Sequence, residues 1–213
     1  AVVCDDNGNI YTIGTFSETA DLTPGTGVFE FVTAGEYDVF VSKLDTDGNF
    51  AWAKQIGGVE FDFASSIALN EYEQVFIGGT YHGTVNFGSS GLQFTGPWDF
   101  YIAKLDASGT LLSANTFGAS SGDVVKSLTV DREGNLLAIG NFAGSVDFDP
   151  GAGVHNLTTS NSTAIFILKL NDLLASISEE SHGGFGVYPN PAVHSLTLVF
   201  DEPSSKHVLI LDT

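Results

Sequence analysis

Phe40-Val41-Ser42-Lys43-Leu44-Asp45 recurs as Tyr101-Ile102-Ala103-Lys104-Leu105-Asp106 and again as Phe166-Ile167-Leu168-Lys169-Leu170-Asn171, at intervals of 61 and then 65 residues. Working outward, Asn9-Ile10-Tyr11-Thr12-Ile13-Gly14-Thr15-Phe16 matches Gln74-Val75-Phe76-Ile77-Gly78-Gly79-Thr80-Tyr81 and Asn135-Leu136-Leu137-Ala138-Ile139-Gly140-Asn141-Phe142, at intervals of 65 and then 61. Each pair of intervals spans 126 residues, so the first and third copies align without a gap and the second is four residues short between the landmarks. The shortage can be placed. Asp21-Leu22-Thr23-Pro24-Gly25-Thr26-Gly27-Val28 returns 126 positions later as Asp147-Phe148-Asp149-Pro150-Gly151-Ala152-Gly153-Val154, whereas the second copy has only Asn86-Phe87-Gly88-Ser89-Ser90-Gly91. Pro-Gly followed by a second Gly is turn chemistry, so the deletion falls in a loop. A fixed period of this size is the signature of stacked repeat units.

Each copy holds four strand candidates, which in the second are 65–69, 75–81, 100–105 and 111–116. Asp5-Asp6-Asn7-Gly8-Asn9 and Asp131-Arg132-Glu133-Gly134-Asn135 are compact hairpin loops between the first two strands. Asp45-Thr46-Asp47-Gly48-Asn49 and Asp106-Ala107-Ser108-Gly109-Thr110 serve the last two. Four antiparallel strands per copy, apolar on both faces, describe a propeller blade covered by its neighbours. The expected fold class is all-β: three four-stranded propeller-type blades over 1–172, at about 1–58, 59–118 and 119–172. Closed rings hold about four to eight blades. Three therefore make a partial propeller, with earlier blades expected upstream of Ala1.

Composition agrees. Twenty-five glycines, seventeen phenylalanines and no methionine suit short strands and tight turns. Twenty-six acidic against seven basic residues give a net charge of −19, which repels phosphate backbones and anionic lipid. No nucleic acid partner is expected, and the acidity reads as solubility for a Phe-rich surface. Cys4 excludes an intrachain disulfide and, in the run Val2-Val3-Cys4, is expected to be a buried small hydrophobe. No apolar stretch approaches the ~20 residues that cross a bilayer, so no membrane insertion is expected. No N-terminal signal peptide is visible, and because the chain opens inside a strand pattern its absence reads as truncation.

The D-x-x-G-N turn, the strand ending in Gly, the Asp-Phe-Asp-Pro-Gly loop and the run Asp47-Gly48-Asn49-Phe50-Ala51-Trp52-Ala53-Lys54-Gln55-Ile56-Gly57 together resemble a bacterial β-propeller repeat family of secreted proteins. The resemblance covers roughly residues 1–170. The second copy lacks the tryptophan, and the third trails into 172–180 without a recognisable last strand. Beyond a polar linker at 173–185, Val187-Tyr188-Pro189-Asn190-Pro191 leads into a strand carrying Leu196, Leu198 and Phe200 on one face, and 208–211 reads as a second strand. Residues 186–213 resemble the start of the type A sorting domain of the type IX secretion system, a β-sandwich at the C-termini of Bacteroidota cargo proteins. The residues that carry this are Tyr188, Pro189, Asn190, Pro191, Leu196 and Leu198. The resemblance implies a protein secreted or attached to the outer cell surface, with the type IX machinery as partner.

Other motifs carry less. Gly118-Ala119-Ser120-Ser121-Gly122 fits G-x-S-x-G, but no helix follows to make a nucleophile elbow. In the Asp5 and Asp45 loops the glycine comes too early for an EF-hand, and Ile56 stands where its bidentate glutamate belongs. Asp147 and Asp149, with Asp21 and Thr23 as a half-copy, are a better cation candidate, still read as a loop. His82, His155, His182, His194 and His207 share no metal-ligand spacing. Trp52 and Trp98 are candidates for stacking on a sugar or for core. The expectation is a binding or scaffold protein with no catalytic residue, cofactor or metal and an extracellular protein or glycan ligand. The alternative is a fragment of a secreted glycan-active or other hydrolytic enzyme whose catalytic part lies elsewhere.

Overall fold

The computed structural model describes residues 1–88, 93–119, 122–159 and 163–171, together with the backbone of 207–211; side chains of 93–96 and 207–211 are not among those described. In the first blade β1 (Val2–Cys4) and β2 (Ile10–Phe16) lead to a ribbon of β3 (Thr19–Asp21) and β4 (Glu30–Val32), then to β5 (Asp38–Leu44) and β6 (Phe50–Ile56). The second blade is β7 (Asp62–Leu69), β8 (Val75–Asn86), β9 (Gln93–Leu105) and β10 (Leu111–Phe117). The third has β11 (Val124–Val130) and β12 (Leu136–Phe142), a ribbon of β13 (Ser145–Asp147) and β14 (Asn156–Thr158), then β15 (Ala164–Leu170) and β16 (His207–Leu211). Each blade is an antiparallel meander, in the orders β1-β2-β5-β6, β7-β8-β9-β10 and β11-β12-β15-β16. The expected all-β architecture of three four-stranded blades is present, with no α-helix among the described residues.

Register follows the repeat. Tyr11 pairs with Lys43, Phe76 with Lys104 and Leu137 with Lys169, so the three landmark lysines occupy one position of one strand. Lys43 and Lys104 lie over the Tyr11 and Phe76 rings, at 4.8 and 5.5 Å from the centroids. Burial of the stems supports the pairing, and the ring face offsets part of the cost of moving the ammonium inward.

The second blade departs from the expected strand lengths. Its middle strands run past 75–81 and 100–105 because a bulge at His82 and a positive φ of 71° at Gly83 turn the ladder, which then continues from Gly83↔Gly96 to Asn86↔Gln93. The ribbons of the other two blades are the same extension, detached. The last blade is completed from a distance. The strand expected at 208–211 as the second of the segment 186–213 is β16, and it is hydrogen-bonded to β15 of the third blade, from Lys169↔His207 to Ile165↔Leu211. The linker at 173–185 and the motif residues Tyr188, Pro189, Asn190, Pro191, Leu196 and Leu198 lie outside the described residues.

Two apolar clusters form between blades. One gathers Ile13, Val41, Ile67 and Ile77 at the first joint, the other Ile102, Val125, Leu128 and Phe166 around the second. The first strand of each following blade supplies the covering residues, β7 over β2 and β5, β11 over β8 and β9. Cys4 is a correction to the sequence reading. It is exposed: among the described residues no blade packs against the outer face of β1, and Val3, pointing the other way, is the residue of that strand that reaches the core.

Candidate functional site

The hairpin loops explain themselves first. Asp5 Oδ1 accepts the amides of Asn7 and Asn9 at 3.0 and 2.8 Å, and Asp45 Oδ1 those of Asp47 and Asn49 at 2.9 and 2.8 Å. Asp106 and Asp131 repeat the pattern, and Asn70 substitutes for the aspartate in the second blade. These hydrogen bonds hold the Asp5, Asp45 and Asp106 carboxyls below the usual range. The lone pairs that calcium needs are engaged by the turn.

The loop at 147–155 is spent likewise. Asp147 Oδ1 accepts the Asp149 and His155 amides, and Asp149 accepts the Gly151 amide and faces His155 Nδ1 at 3.3 Å. Asp21 holds Thr23 and Phe29 at the corresponding positions. Among the described residues no group of three or more His, Cys, Asp or Glu is arranged to hold a metal. Of the hydrolase-like run, Gly118 packs on the buried carboxylate of Asp99, while Ser120 and Ser121 lie outside the described residues.

The feature that stands out is at the first blade joint. Tyr37, Phe61, Phe63 and Trp98 form a shelf of four rings with centroids 5.7 to 6.3 Å apart and planes within 33° of parallel. Tyr37 is 39% exposed and Trp98 38%. Phe61 and Phe63 share a face because strand side chains alternate, and Asp62 between them points inward and is fully buried. His82 lies 4.9 Å from the Trp98 ring and pairs through Nδ1 with Glu60, giving the shelf one polar end.

Trp98 stands at φ 64°, a conformation that a bulky residue adopts only when its surroundings enforce it. The Asp123 amide donates to the Trp98 carbonyl at 2.8 Å, as the Asp62 amide donates to that of Tyr37 at 2.9 Å; of the two only Trp98 has a positive φ, and it stands in the bulge opposite His82, between the Tyr81↔Asp99 and Gly83↔Gly96 pairs. Tyr37 and Trp98 are thus the same repeat position, 61 residues apart. Sequence reading found Trp98 but missed its three companions. The available signals were that equivalence and the Phe61-Asp62-Phe63 alternation. Trp52, the other candidate, is half-buried, with its indole N–H donated to the Ala107 carbonyl at 3.0 Å and its ring edge-on to Tyr11.

Beneath the shelf lie paired acids. Burial, and then the neighbouring Asp38, push the Asp62 carboxyl up to about 7; burial, and then Asp123, push Asp99 up to about 6. Asp62 Oδ2 accepts the Gly58 amide at 2.7 Å, and Asp123 Oδ2 the Ala119 amide at 3.0 Å. Each of these acids closes the short connection that leads into its own blade, accepting an amide four residues upstream.

No family model matches the chain. It is similar to an uncharacterized WD repeat-containing protein of Acanthamoeba polyphaga mimivirus, 25% identical over 204 residues that cover 81% of this chain and 14% of that protein. It is also similar to the regulatory protein FlaEY of Caulobacter vibrioides, 25% identical over 134 residues, 58% of this chain and 14% of that protein. The chain therefore spans a small part of the length of either relative. With the three repeated meanders, the first of these similarities supports one coarse statement: the chain is an all-β, β-propeller-like repeat protein.

Proposed function

We propose that this chain is the propeller part of a secreted or cell-surface binding protein, without catalytic activity of its own, whose ligand is an extracellular glycan or protein. The shelf of Tyr37, Phe61, Phe63 and Trp98 carries the reading. Flat, partly exposed rings offer apolar C–H faces of a sugar a stacking surface, and the Glu60–His82 pair stands where sugar hydroxyls need partners. A net charge of −19 favours neutral or cationic ligands over sulfated or phosphorylated ones. Export through the type IX machinery, directed by the segment bearing Tyr188, Pro189, Asn190, Pro191, Leu196 and Leu198, belongs to the same reading and rests on the sequence motif.

A glycan array probed with the chain and with Trp98→Ala tests the binding claim. Binding to neutral glycans that weakens tenfold or more in the variant supports it, a change of about 1.4 kcal/mol. Equal binding by both proteins removes the shelf from the argument. The second reading, a fragment of a secreted glycan-active or other hydrolytic enzyme whose catalytic part lies elsewhere, is favoured if a longer polypeptide that contains this chain releases new reducing ends while the chain alone does not.

A further inference from the structure

The connection between the first two blades gathers side-chain oxygens that hydrogen bonds leave unused. Asp38, which opens β5, turns Oδ2 to the Ala34 amide at 2.9 Å and to Gln55 Nε2, while its Oδ1 lies 2.5 Å from the point a Gly57 Cβ would take. Asp62, which opens β7, gives Oδ2 to the amide of Gly58, the next residue along. Asn86, at the end of β8, holds Gly57 through both backbone groups, at 3.0 and 3.1 Å. Tyr101 of β9 reaches over Gly79 until its hydroxyl and the carbonyl of Phe63, the neighbour of Asp62, both lie within 2.4 Å of the Gly79 Cβ position. Asp38 Oδ1, Asp62 Oδ1, Asn86 Oδ1 and the Tyr101 hydroxyl are buried atoms with no hydrogen-bond partner. Asp38, Asp62 and Tyr101 are each fully buried.

The second joint is a control within the molecule. It repeats the acid pair as Asp99 and Asp123, yet Asp123 is satisfied through both oxygens, by the Ala119 amide at 3.0 Å and the Ala143 amide at 2.9 Å. The amide corresponding to that of Ala143 belongs to His82, and it donates to the Phe61 carbonyl instead, which leaves Asp62 Oδ1 free. Asn86 corresponds to Asp147, whose Oδ1 accepts the Asp149 and His155 amides. Tyr101 corresponds to Phe166, which occupies the same place over Gly140 without a hydroxyl. Of this second set only Asp99 Oδ1 lacks a partner. The first joint thus departs from its repeat at Asp62, Asn86 and Tyr101, and each departure adds or frees an oxygen.

We propose that the first joint is a calcium site, in which Asp38 and Asp62 supply the charge, Asn86 and Tyr101 supply neutral oxygens, and water completes the shell. Calcium takes roughly six to eight oxygens and accepts a mixture of carboxylate, neutral oxygen and water in adaptable geometry. Donors fixed on four strands suit it better than magnesium, which demands a near-octahedral set, and without sulfur or imidazole they do not suit zinc. Only two of the donors are acids, so the set falls outside any group of three or more His, Cys, Asp or Glu. Two buried carboxylates at one connection call for a counter-charge. In the calcium-free chain a proton on Asp62 meets part of that need, because burial, and then Asp38, push its carboxyl up to about 7. A net charge of −19 draws divalent cations toward the chain before they bind.

Calorimetric titration of calcium chloride into the chelator-treated chain tests the site. Expected is a single tight class of calcium binding, and a higher urea midpoint in calcium than in chelator. Asp38→Asn and Asp62→Asn, which keep acceptors for the Ala34 and Gly58 amides, should each weaken binding roughly tenfold or more. Tyr101→Phe installs the residue that the other blades carry at Phe40 and Phe166. It should weaken binding while the β-sheet circular dichroism spectrum stays unchanged, so that lost affinity is read apart from lost fold. Asp99→Asn, in the second joint, should bind calcium as the wild-type chain does. Absence of calcium binding overturns the proposal and leaves water on these oxygens. Unchanged affinity in folded Asp38→Asn or Tyr101→Phe also overturns it, as does an equal loss in Asp99→Asn, since calcium held by surface acids or at the other joint would behave in those ways.

Discussion

Glu18 stands at φ 61°, in the left-handed conformation that Gly83 adopts at φ 71° at the same point of the next blade and Gly144 at 76° in the third. The turn into the ribbon therefore demands a positive φ whatever residue is present, and the first blade meets it with a residue that has a Cβ. The Glu18 side chain is exposed, and the turn uses only its carbonyl, which accepts the Thr33 amide. Glu18→Gly should raise stability by about 0.5–1 kcal/mol, read as a higher urea midpoint with an unchanged slope. Glu73, at φ 56° where Gly8 and Gly134 stand in the other blades, should gain less from the same change. Its carboxylate receives Asn7 Nδ2 at 2.7 Å and faces Lys43 Nζ at 3.8 Å, contacts that glycine loses.

Blade count and strand order were legible in the sequence because each landmark pairs a strand pattern with a turn whose chemistry is local. The Asp45 turn needs only Asp47 and Asn49, two and four residues on. The shelf was not legible. It joins Tyr37 of one blade with Phe61, Phe63 and Trp98 of the next, and proximity across a joint leaves no trace in local pattern. The exposure of Cys4 escaped for a related reason: alternation identifies two faces of a strand, but which of them is covered depends on whether another blade lies there.

Stability should fall as pH rises from about 5 to 8. Asp62 and Asp99, raised to about 7 and about 6, hold protons in the folded chain that the unfolded chain has lost above its ordinary carboxyl pKa of 3.8. The folded state binds more protons in that window, so raising the pH favours unfolding. Urea midpoints at pH 5 and pH 8 check this. Asp62→Asn, which keeps an acceptor for the Gly58 amide, should flatten the dependence. The turn aspartates act only below this window, where protonation removes the hydrogen bonds that lower them.

Asp131 carries both a turn and an ion pair, and the two can be separated. Against the upward push of burial, Lys169 at 2.7 Å and the Asn135 and Glu133 hydrogen bonds hold its carboxyl at about 2. Asp131→Ala strands the Glu133 and Asn135 amides and should cost about 1–2 kcal/mol. Asp131→Asn keeps an acceptor, as Asn70 does in the second blade, and loses only a partly exposed ion pair worth about 0–1 kcal/mol. Thermal melts of the two variants should therefore differ clearly at pH 7.

Gly58 tests whether the joint tolerates any side chain at all. A Cβ there would fall on the Thr84 carbonyl oxygen, a backbone atom inside the ladder of the second blade, while the Gly58 amide must still reach Asp62 Oδ2 at 2.7 Å. Neither partner can retreat: Thr84 is paired with Thr95 in the ribbon, and Asp62 is anchored through its own amide to the Tyr37 carbonyl. Gly58→Ala should thus cost more than about 2 kcal/mol, by the route that makes overpacking of close-packed interiors destabilising. Gly27→Ala is the control. Its Cβ would meet only the Thr23 side chain at 3.5 Å, on an exposed loop, and should change the urea midpoint little. Equal effects from the two would mean that the blades do not meet through the close approach of Gly58 to the Thr84 carbonyl.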